Sequence, residues 1–218
     1  MCAKEPYSLT DELIVSTLSP FRVQLTPGQI AKIREYIRLL LKWNQSVNLT
    51  SVVEPAEILA RHFGESMFIC SLMPVEKCRL ADIGSGAGFP GLAVKIACPE
   101  IHLTLIESNK KKCAFLSEVV RALEFENVEV MPIRFEEARV APDFAEVITA
   151  RAVGGFSDVL RWAKTALARR GHVILWLGGE DCAKVSSTPG WIWKSAVKIP
   201  ESQRRFVLIG RPRPAENL

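Results

Sequence analysis

The sequence predicts an α/β protein: a doubly wound, mostly parallel sheet of seven strands preceded by an all-helical segment. Three observations carry that prediction. From residue 79 onward, short apolar runs alternate with helix-length stretches, the pattern of βαβ units. A glycine-rich turn joins the first of those runs to the helix after it. The first 75 residues, by contrast, show only helical spacing. A helical extension over 1–75 and an α/β domain over 76–218 are therefore expected, and 218 residues with 48% hydrophobic composition suffice for one sizeable core.

The elements follow in order. A short helix is expected over Thr10 to Leu18. The next begins at Thr26 as N-cap, with Pro27 at the first helical position and Gln29 in the capping-box place; Ile30, Ile33, Ile37 and Leu40 follow at helical spacing up to Trp43. A third starts near Pro55 and carries Ile58/Leu59, His62/Phe63, Met67 and Ile69/Cys70. Strands are read at Arg79–Gly84, His102–Glu107, Val128–Met131, Glu146–Thr149 and His172–Leu177. Helices are read at Pro90–Cys98, Lys110–Glu124 and Phe156–Ala168, the last stopped by Gly171. After Asp181, Trp191–Ile199 and Arg204–Arg211 read as a terminal hairpin completing seven strands.

Composition excludes several classes. No apolar run approaches the roughly 20 residues that span a bilayer, and Met1 to Pro6 lacks a signal-peptide layout, so no membrane association and a cytoplasmic location are expected. The six cysteines are scattered without a C-x-x-C pair and there are only three histidines, so neither a metal site nor a disulfide framework is expected. The formal charge is +4, and the surplus is local: residues 143–218 hold 12 of the 28 basic and 7 of the 24 acidic side chains. That excess permits a polyanionic partner.

The most informative segment is Leu80-Ala81-Asp82-Ile83-Gly84-Ser85-Gly86-Ala87-Gly88-Phe89-Pro90-Gly91. Glycines let the backbone approach a ligand, and the following helix N-terminus offers free N–H groups. Glu107 ends the next strand, where a carboxylate can take both hydroxyls of a ribose. Gly86-x-Gly88-x-x-Gly91 with Glu107 also fits a dinucleotide fingerprint, so a nicotinamide-dependent oxidoreductase is the competing reading. Asp82, two residues before the first glycine, would repel a pyrophosphate but suits a cofactor bearing an ammonium and a sulfonium. A dehydrogenase also usually needs a further substrate domain, for which only the helical extension over 1–75 is available. The cofactor read from the turn is therefore S-adenosylmethionine, and the chemistry methyl transfer.

After the fourth strand the chain reads Val147-Ile148-Thr149-Ala150-Arg151-Ala152, with neither the Asn/Asp-Pro-Pro-aromatic turn of exocyclic amine methylation nor a nucleophilic cysteine. An arginine at the carboxyl end of a sheet strand points into the ligand crevice. There its fork can hold a carboxylate, a phosphate or the O6/N7 edge of guanine, with a surface salt bridge as the plainer alternative. Arg151 is the positioning candidate. Guanine N7 is already a lone-pair nucleophile, so its methylation needs alignment and exclusion of water rather than a general base. Arg204 and Arg205, with the other C-terminal basic residues near Trp191 and Trp193, would suit an RNA backbone or form a solvated face.

These residues together resemble the bacterial small-subunit ribosomal RNA methyltransferase G family, once called glucose-inhibited division protein B. The resemblance runs from about residue 25 to 180. It rests on Lys42-Trp43-Asn44 with Asn48-Leu49-Thr50, Arg61-His62-Phe63 with Ser66, Asp82 to Gly91, Leu105-Ile106-Glu107-Ser108, Lys111-Lys112 with Phe115-Leu116, Arg134 with Glu136-Glu137, and Thr149-Ala150-Arg151-Ala152. It implies a class I, Rossmann-like methyltransferase fold and transfer of a methyl group to N7 of one guanosine in 16S ribosomal RNA; free RNA and the 30S subunit both stay open as substrate, and a monomer without a metal is expected. It also implies that Gly84 and Phe89 line the cofactor turn beside Asp82, Gly86 and Glu107, that Phe135 and Glu136 sit beside the adenine, and that Arg151 stands at the cofactor–acceptor boundary. His62, Ser66 and Arg134 join Arg204 and Arg205 as candidate RNA contacts.

Two departures from the family pattern stand out. Glu65 replaces a usual Asp before Ser66, keeping the charge and lengthening the reach. Leu177 stands where a Lys is usual before the glycine after the fifth strand, with Lys184 or Arg170 as possible substitutes. A non-catalytic ribosomal-RNA-binding assembly factor stays open beside the enzyme.

Overall fold

The computed structural model describes residues 9–151 and 154–214, so Cys2 and the Ala152 of the fourth-strand motif lie outside the described residues. Helix α1 spans Asp11–Leu18 with the Thr10 hydroxyl accepting from Leu13 N, and α2 spans Pro27–Asn44. The capping box forms as expected: Thr26 Oγ1 accepts from Gln29 N, and Gln29 Oε1 accepts from Thr26 N at 2.8 Å. The Gln29 amide also donates to Ile96 O at 2.7 Å, so the cap doubles as a tether to the first helix of the α/β layer.

The third helical stretch is interrupted. It consists of α3 (Pro55–Ile58), a π segment (Leu59–Gly64), α4 (Glu65–Met67) and a 3-10 turn (Phe68–Ser71). Glu65 N donates to Ala60 O, five residues back, which marks the widened turn. Side-chain spacing cannot distinguish this from a regular helix, because a π turn shifts the face by only one residue.

The sheet follows with β1 (Arg79–Ile83), α5 (Gly91–Ala97), β2 (His102–Ile106), α6 (Lys110–Ala122), β3 (Val128–Met131), β4 (Ala145–Arg151), α7 (Phe156–Ala166) and β5 (Leu167–Gly178). Then come α8 (Gly179–Ser186), β6 (Trp191–Trp193), β7 (Val197–Lys198) and β8 (Arg205–Pro212). The order is β3-β2-β1-β4-β5-β8-β6, with β7 also on β8. Strands β1 to β5 are parallel to their neighbours; β8 runs antiparallel to β5. Strands β6 and β7 lie on the outer side of β8 and share one position, so the sheet has seven positions and eight strands. The break is a bulge: Trp193 pairs with Gly210 and Val197 with Val207, leaving one more residue on the edge than on β8.

Two sequence expectations are corrected. Helix α7 ends at Ala166, not Ala168, because Leu167 already pairs with Ala145. Gly171 is not the helix stop; a Cβ there would lie 2.8 Å from Leu167 and 3.0 Å from Glu146 O, so its role is to let β5 pass close to β4. Helix α8, absent from the sequence reading, buries only Cys182 and Val185, too short a period to register.

The sheet is buried on both faces. One carries α7 and α8 over Ile83, Ile148 and Leu175. The other is covered by α5, α6 and the helical extension, and residues as distant as Ile14, Tyr36, Leu92, Leu105 and Ile209 share that core. The extension is fastened to the glycine turn by Tyr36, which has no exposed surface: its hydroxyl donates to Ala87 O at 2.6 Å and its ring stacks on Phe89 at 5.3 Å and 7°. Cys98 and Cys70 bring their thiols to 3.5 Å beneath the same layer.

Tyr36→Phe should cost about 1 to 3 kcal/mol in urea unfolding, because it leaves Ala87 O buried without a donor. Gly88→Ala should cost more than Tyr36→Phe: φ is +85° and the new Cβ would stand 2.2 Å from the Tyr36 hydroxyl oxygen. A wild-type midpoint for both variants would show that this fastening contributes nothing.

Candidate cofactor and acceptor site

Strand β1 ends at Ile83 and the chain turns through Gly84, Gly86 and Gly88, all with left-handed φ of 64°, 56° and 85°. Only glycine takes such angles repeatedly without strain. The turn is pinned to the end of β2: Gly84 N donates to Ile106 O at 2.8 Å, and Gly86 N to the Glu107 carboxylate at 2.9 Å. The other Glu107 oxygen accepts from Asn109 N at 2.8 Å. A carboxylate has about four lone-pair positions, so two remain for a ligand's hydroxyls. On the open side, a Cβ added at Gly86 would meet nothing nearer than Gly84 O at 3.7 Å. A cradle with a free carboxylate edge and no side chain filling it fits an adenosine-bearing cofactor.

Asp82 acts inside the turn. It is fully buried between Leu105 and Thr149 in the sheet, accepts from Thr149 Oγ1 at 2.7 Å and from Gly91 N at 3.2 Å, and so ties β4 and the start of α5 to β1. Burial pushes its carboxyl up to about 7, against the hydrogen bonds from Thr149, Gly91 and Ser85, which pull it down. Asp82 has no exposed surface, so contact with a cofactor ammonium would have to run through the turn it holds.

Phe89 lies between two rings: Tyr36 on one face and His62 on the other, the latter at 4.8 Å and 22°. His62 Nε2 shares a hydrogen bond with Thr50 Oγ1 at 2.8 Å. Burial, then the charges of Arg151 and Arg61, depress its pKa to about 3. His62 is therefore neutral at physiological pH. Thr50 is set in turn by Asn44, whose side chain accepts from Leu49 N and Thr50 N and donates to Thr50 O at 2.9 Å. The separated motif residues Asn44, Thr50, His62 and Phe89 thus form one chain of contacts leading to the turn.

At the carboxyl ends of β4 and β5, where Arg151 follows Ala150, the partner of Ile83 at the end of β1, a cleft of about 630 Å³ is lined by Arg61, Glu65, Arg151, Trp176, Leu177 and Arg205, among others. The Arg151 guanidinium donates to Arg61 O at 2.8 Å and Glu65 Oε2 at 3.1 Å, with Ser66 Oγ at 3.4 Å. Arg205 reaches the second Glu65 oxygen at 2.5 Å. Glu65 is only 2% exposed, and burial raises its carboxyl above the usual range although the three arginines pull it down.

The remaining sequence candidates separate. Ser66 is fully buried, its hydroxyl turned to His62 O, so it does not present itself to an RNA. His62 is occupied on its ring face and on Nε2, and Arg205 is drawn into the cleft rather than held in a basic surface strip. Trp191 is buried, with Lys164 over its ring at 6.0 Å, and is not part of an exposed aromatic patch. Arg134, Glu136 and Arg204 are exposed. Phe135 is buried against Trp162 at 6.3 Å and 79°, in the core under the 3-10 turn Phe135–Glu137 that follows β3. Leu177 is 3% exposed in the core at the cleft floor, so its position is one of packing. Tyr36 and Thr50 were missed as site-forming residues; the buried hydroxyl of Tyr36 on an otherwise apolar helix face was the available signal.

A parallel sheet with one antiparallel strand inserted near its edge, a glycine turn after β1 and an acid closing β2 define a class I methyltransferase that uses S-adenosylmethionine. The fold matches solved structures at low sequence identity: an S-adenosylmethionine-dependent methyltransferase from Aquifex aeolicus (TM-score 0.60, 13% identical, 72% of this chain and 93% of that one) and a ribosomal protein L11 methylase from Lactobacillus delbrueckii subsp. bulgaricus (TM-score 0.57, 12% identical, 71% and 80%). The family model for rRNA small subunit methyltransferase G matches residues 29–190, and the chain belongs to that family. Relatives named ribosomal RNA small subunit methyltransferase G include one from Photobacterium profundum, 32% identical over 90% of this chain and 95% of its own, and one from Janthinobacterium sp., 33% identical over 91% and 94%.

Two outcomes test the turn. Glu107→Ala should weaken S-adenosylmethionine binding by about 1.5 to 3 kcal/mol in calorimetry, the worth of hydrogen bonds to a charged acceptor; unchanged affinity would remove Glu107 from the cofactor site. For Asp82, the unfolded chain releases its proton near 3.8 while the folded protein holds it to about 7, so this group lowers stability as pH rises across that window. Asp82→Asn should make the pH dependence of the urea midpoint less negative between those values, and a wild-type slope would contradict the assignment.

Proposed function

We propose that the protein transfers the methyl group of S-adenosylmethionine to N7 of one guanosine in 16S ribosomal RNA, acting in the cytoplasm as a monomer and without a metal. The observation that carries this reading is the arginine-lined cleft opening beside the glycine turn, at the carboxyl ends of β4 and β5. Ligands of doubly wound sheets bind at that edge. When bound, S-adenosylmethionine supplies a methyl group made electrophilic by its sulfonium. Gly84, Gly86 and Glu107 hold the adenosine half, Asp82 keeps the turn in place, and Phe89 with His62 closes the side toward the helical extension. Phe135 supports the 3-10 turn from below, leaving Glu136 at its surface beside the adenine.

Guanine N7 carries its own lone pair, so the protein's work is alignment and exclusion of water. The partly buried Arg151, fixed by Arg61 O and Glu65, offers its fork to guanine O6 or to an adjoining phosphate and leaves N7 facing the methyl group. The exposed Arg134 and Arg204 meet the RNA backbone outside the cleft.

The test is methyl incorporation from tritiated S-adenosylmethionine into 16S RNA and 30S particles from cells lacking this protein, with nucleosides identified by mass. 7-Methylguanosine is expected; methylation of another atom would overturn the N7 assignment, and RNA binding without methyl transfer would favour an assembly factor. Arg151→Ala should lower kcat about tenfold to hundredfold, the equivalent of one charge-assisted hydrogen bond, with cofactor affinity unchanged. Arg134→Ala with Arg204→Ala should mainly flatten the salt dependence of RNA binding.

A further inference from the structure

We infer that Glu65 is a positioning residue for the acceptor RNA, aiming Arg151 and Arg205 together at the cleft. The inference rests on the function proposed above. Glu65 lies where the π segment passes into α4, and its backbone is fixed on two sides: its N–H donates to Ala60 O, and its carbonyl accepts from Trp176 Nε1 at 2.8 Å. Its carboxylate therefore has little freedom. One oxygen takes Arg151 from the end of β4 and the other takes Arg205 from the start of β8.

The arrangement is more than a structural ion pair. A buried ion pair adds little stability over apolar side chains of similar size. Here one carboxylate, 2% exposed, collects two guanidiniums from different strands, and these keep 16% and 38% of their side-chain surface open. Arg61 on the same rim is already paired with Glu57 at 2.6 Å, and the exposed Asp181 is the other acid lining the cleft, so the surplus sits at Glu65 itself, where two guanidiniums share one carboxylate. Two forks held on one carboxylate have a fixed separation. That suits a nucleotide, whose base edge and neighbouring phosphodiester lie at a fixed distance, with Arg151 nearer the turn and Arg205 nearer the mouth.

The experiment measures methyl transfer to 16S RNA, cofactor affinity by calorimetry and thermal unfolding for wild type, Glu65→Gln and Glu65→Asp. Glu65→Gln should lower kcat at least about tenfold while S-adenosylmethionine affinity stays within about twofold, since the carboxylate touches neither the turn nor Glu107. Glu65→Asp, which keeps the charge, should recover most of the lost rate. A purely structural role predicts instead that cofactor affinity and melting temperature fall together with activity. If Glu65→Gln keeps the wild-type kcat, or Glu65→Asp falls as far as Glu65→Gln, the inference is overturned. Should Glu65→Gln not fold, the same change in Arg205→Ala, which buries one fewer unpaired charge, is compared with Arg205→Ala; a further fall supports the role and no fall refutes it. Wild type on the same RNA separates the two levels: no incorporation by wild type refutes the function and this inference with it, whereas active wild type with an equally active Glu65→Gln refutes the inference alone.

Discussion

The structure depends on the contact between Tyr36 and the glycine turn. Three left-handed glycines give the turn its shape but no stiffness, because glycine has the most conformational freedom to lose. Stiffness comes from outside. The Tyr36 hydroxyl caps Ala87 O, its ring supports Phe89, and Gly88 has no room for even a methyl group against it. The helical extension is therefore the back wall of the cofactor turn, and its long hydrophobic seam with α5 and α6 serves to keep that wall in register.

The same logic joins the two halves of the site. His62 occupies the far face of Phe89, while the carbonyl of the residue before it, Arg61, accepts from Arg151. The π segment Leu59–Gly64 thus touches the cofactor turn on one flank and the acceptor cleft on the other. Widened turns are costly local defects that recur at functional sites. Here the widening accompanies an Arg61 carbonyl used by a guanidinium from another strand rather than by its own helix alone.

The α/β alternation, the capping box at Thr26, the five parallel strands and the acid at Glu107 were all legible, because each rests on local periodicity or on a turn that only certain residues can make. What escaped was decided at a distance. Leu167 has helical neighbours, and only pairing with Ala145 makes it a strand residue. The break between β6 and β7 follows from a one-residue mismatch with β8, which one strand's composition cannot reveal. At the site, Asp82 read as a ligand contact because its position before the glycines is visible, whereas its partners Thr149 and Gly91 come from elsewhere in the chain. Ser66 reads as a candidate RNA contact for the same reason: the motif marks a residue as constrained without saying whether the constraint is a partner or a neighbour.

The antiparallel course of β8 has a consequence for how the protein comes into being. Arg205 enters the cleft because Gly178, at the end of β5, lies opposite the start of β8. Its counterpart Glu65 was made long before, and Trp176, which fixes Glu65, is 111 residues away from it. On a chain synthesised from its N-terminus, the glycine turn, Glu107 and the Tyr36 support all precede β3, and Asp82 gains its Thr149 partner with β4, before any residue of β8 is made. The acceptor cleft is complete only once β8 lies between β5 and the edge. The chain order thus puts the cofactor turn before the acceptor cleft, whose Arg205 is made only after β5 is complete.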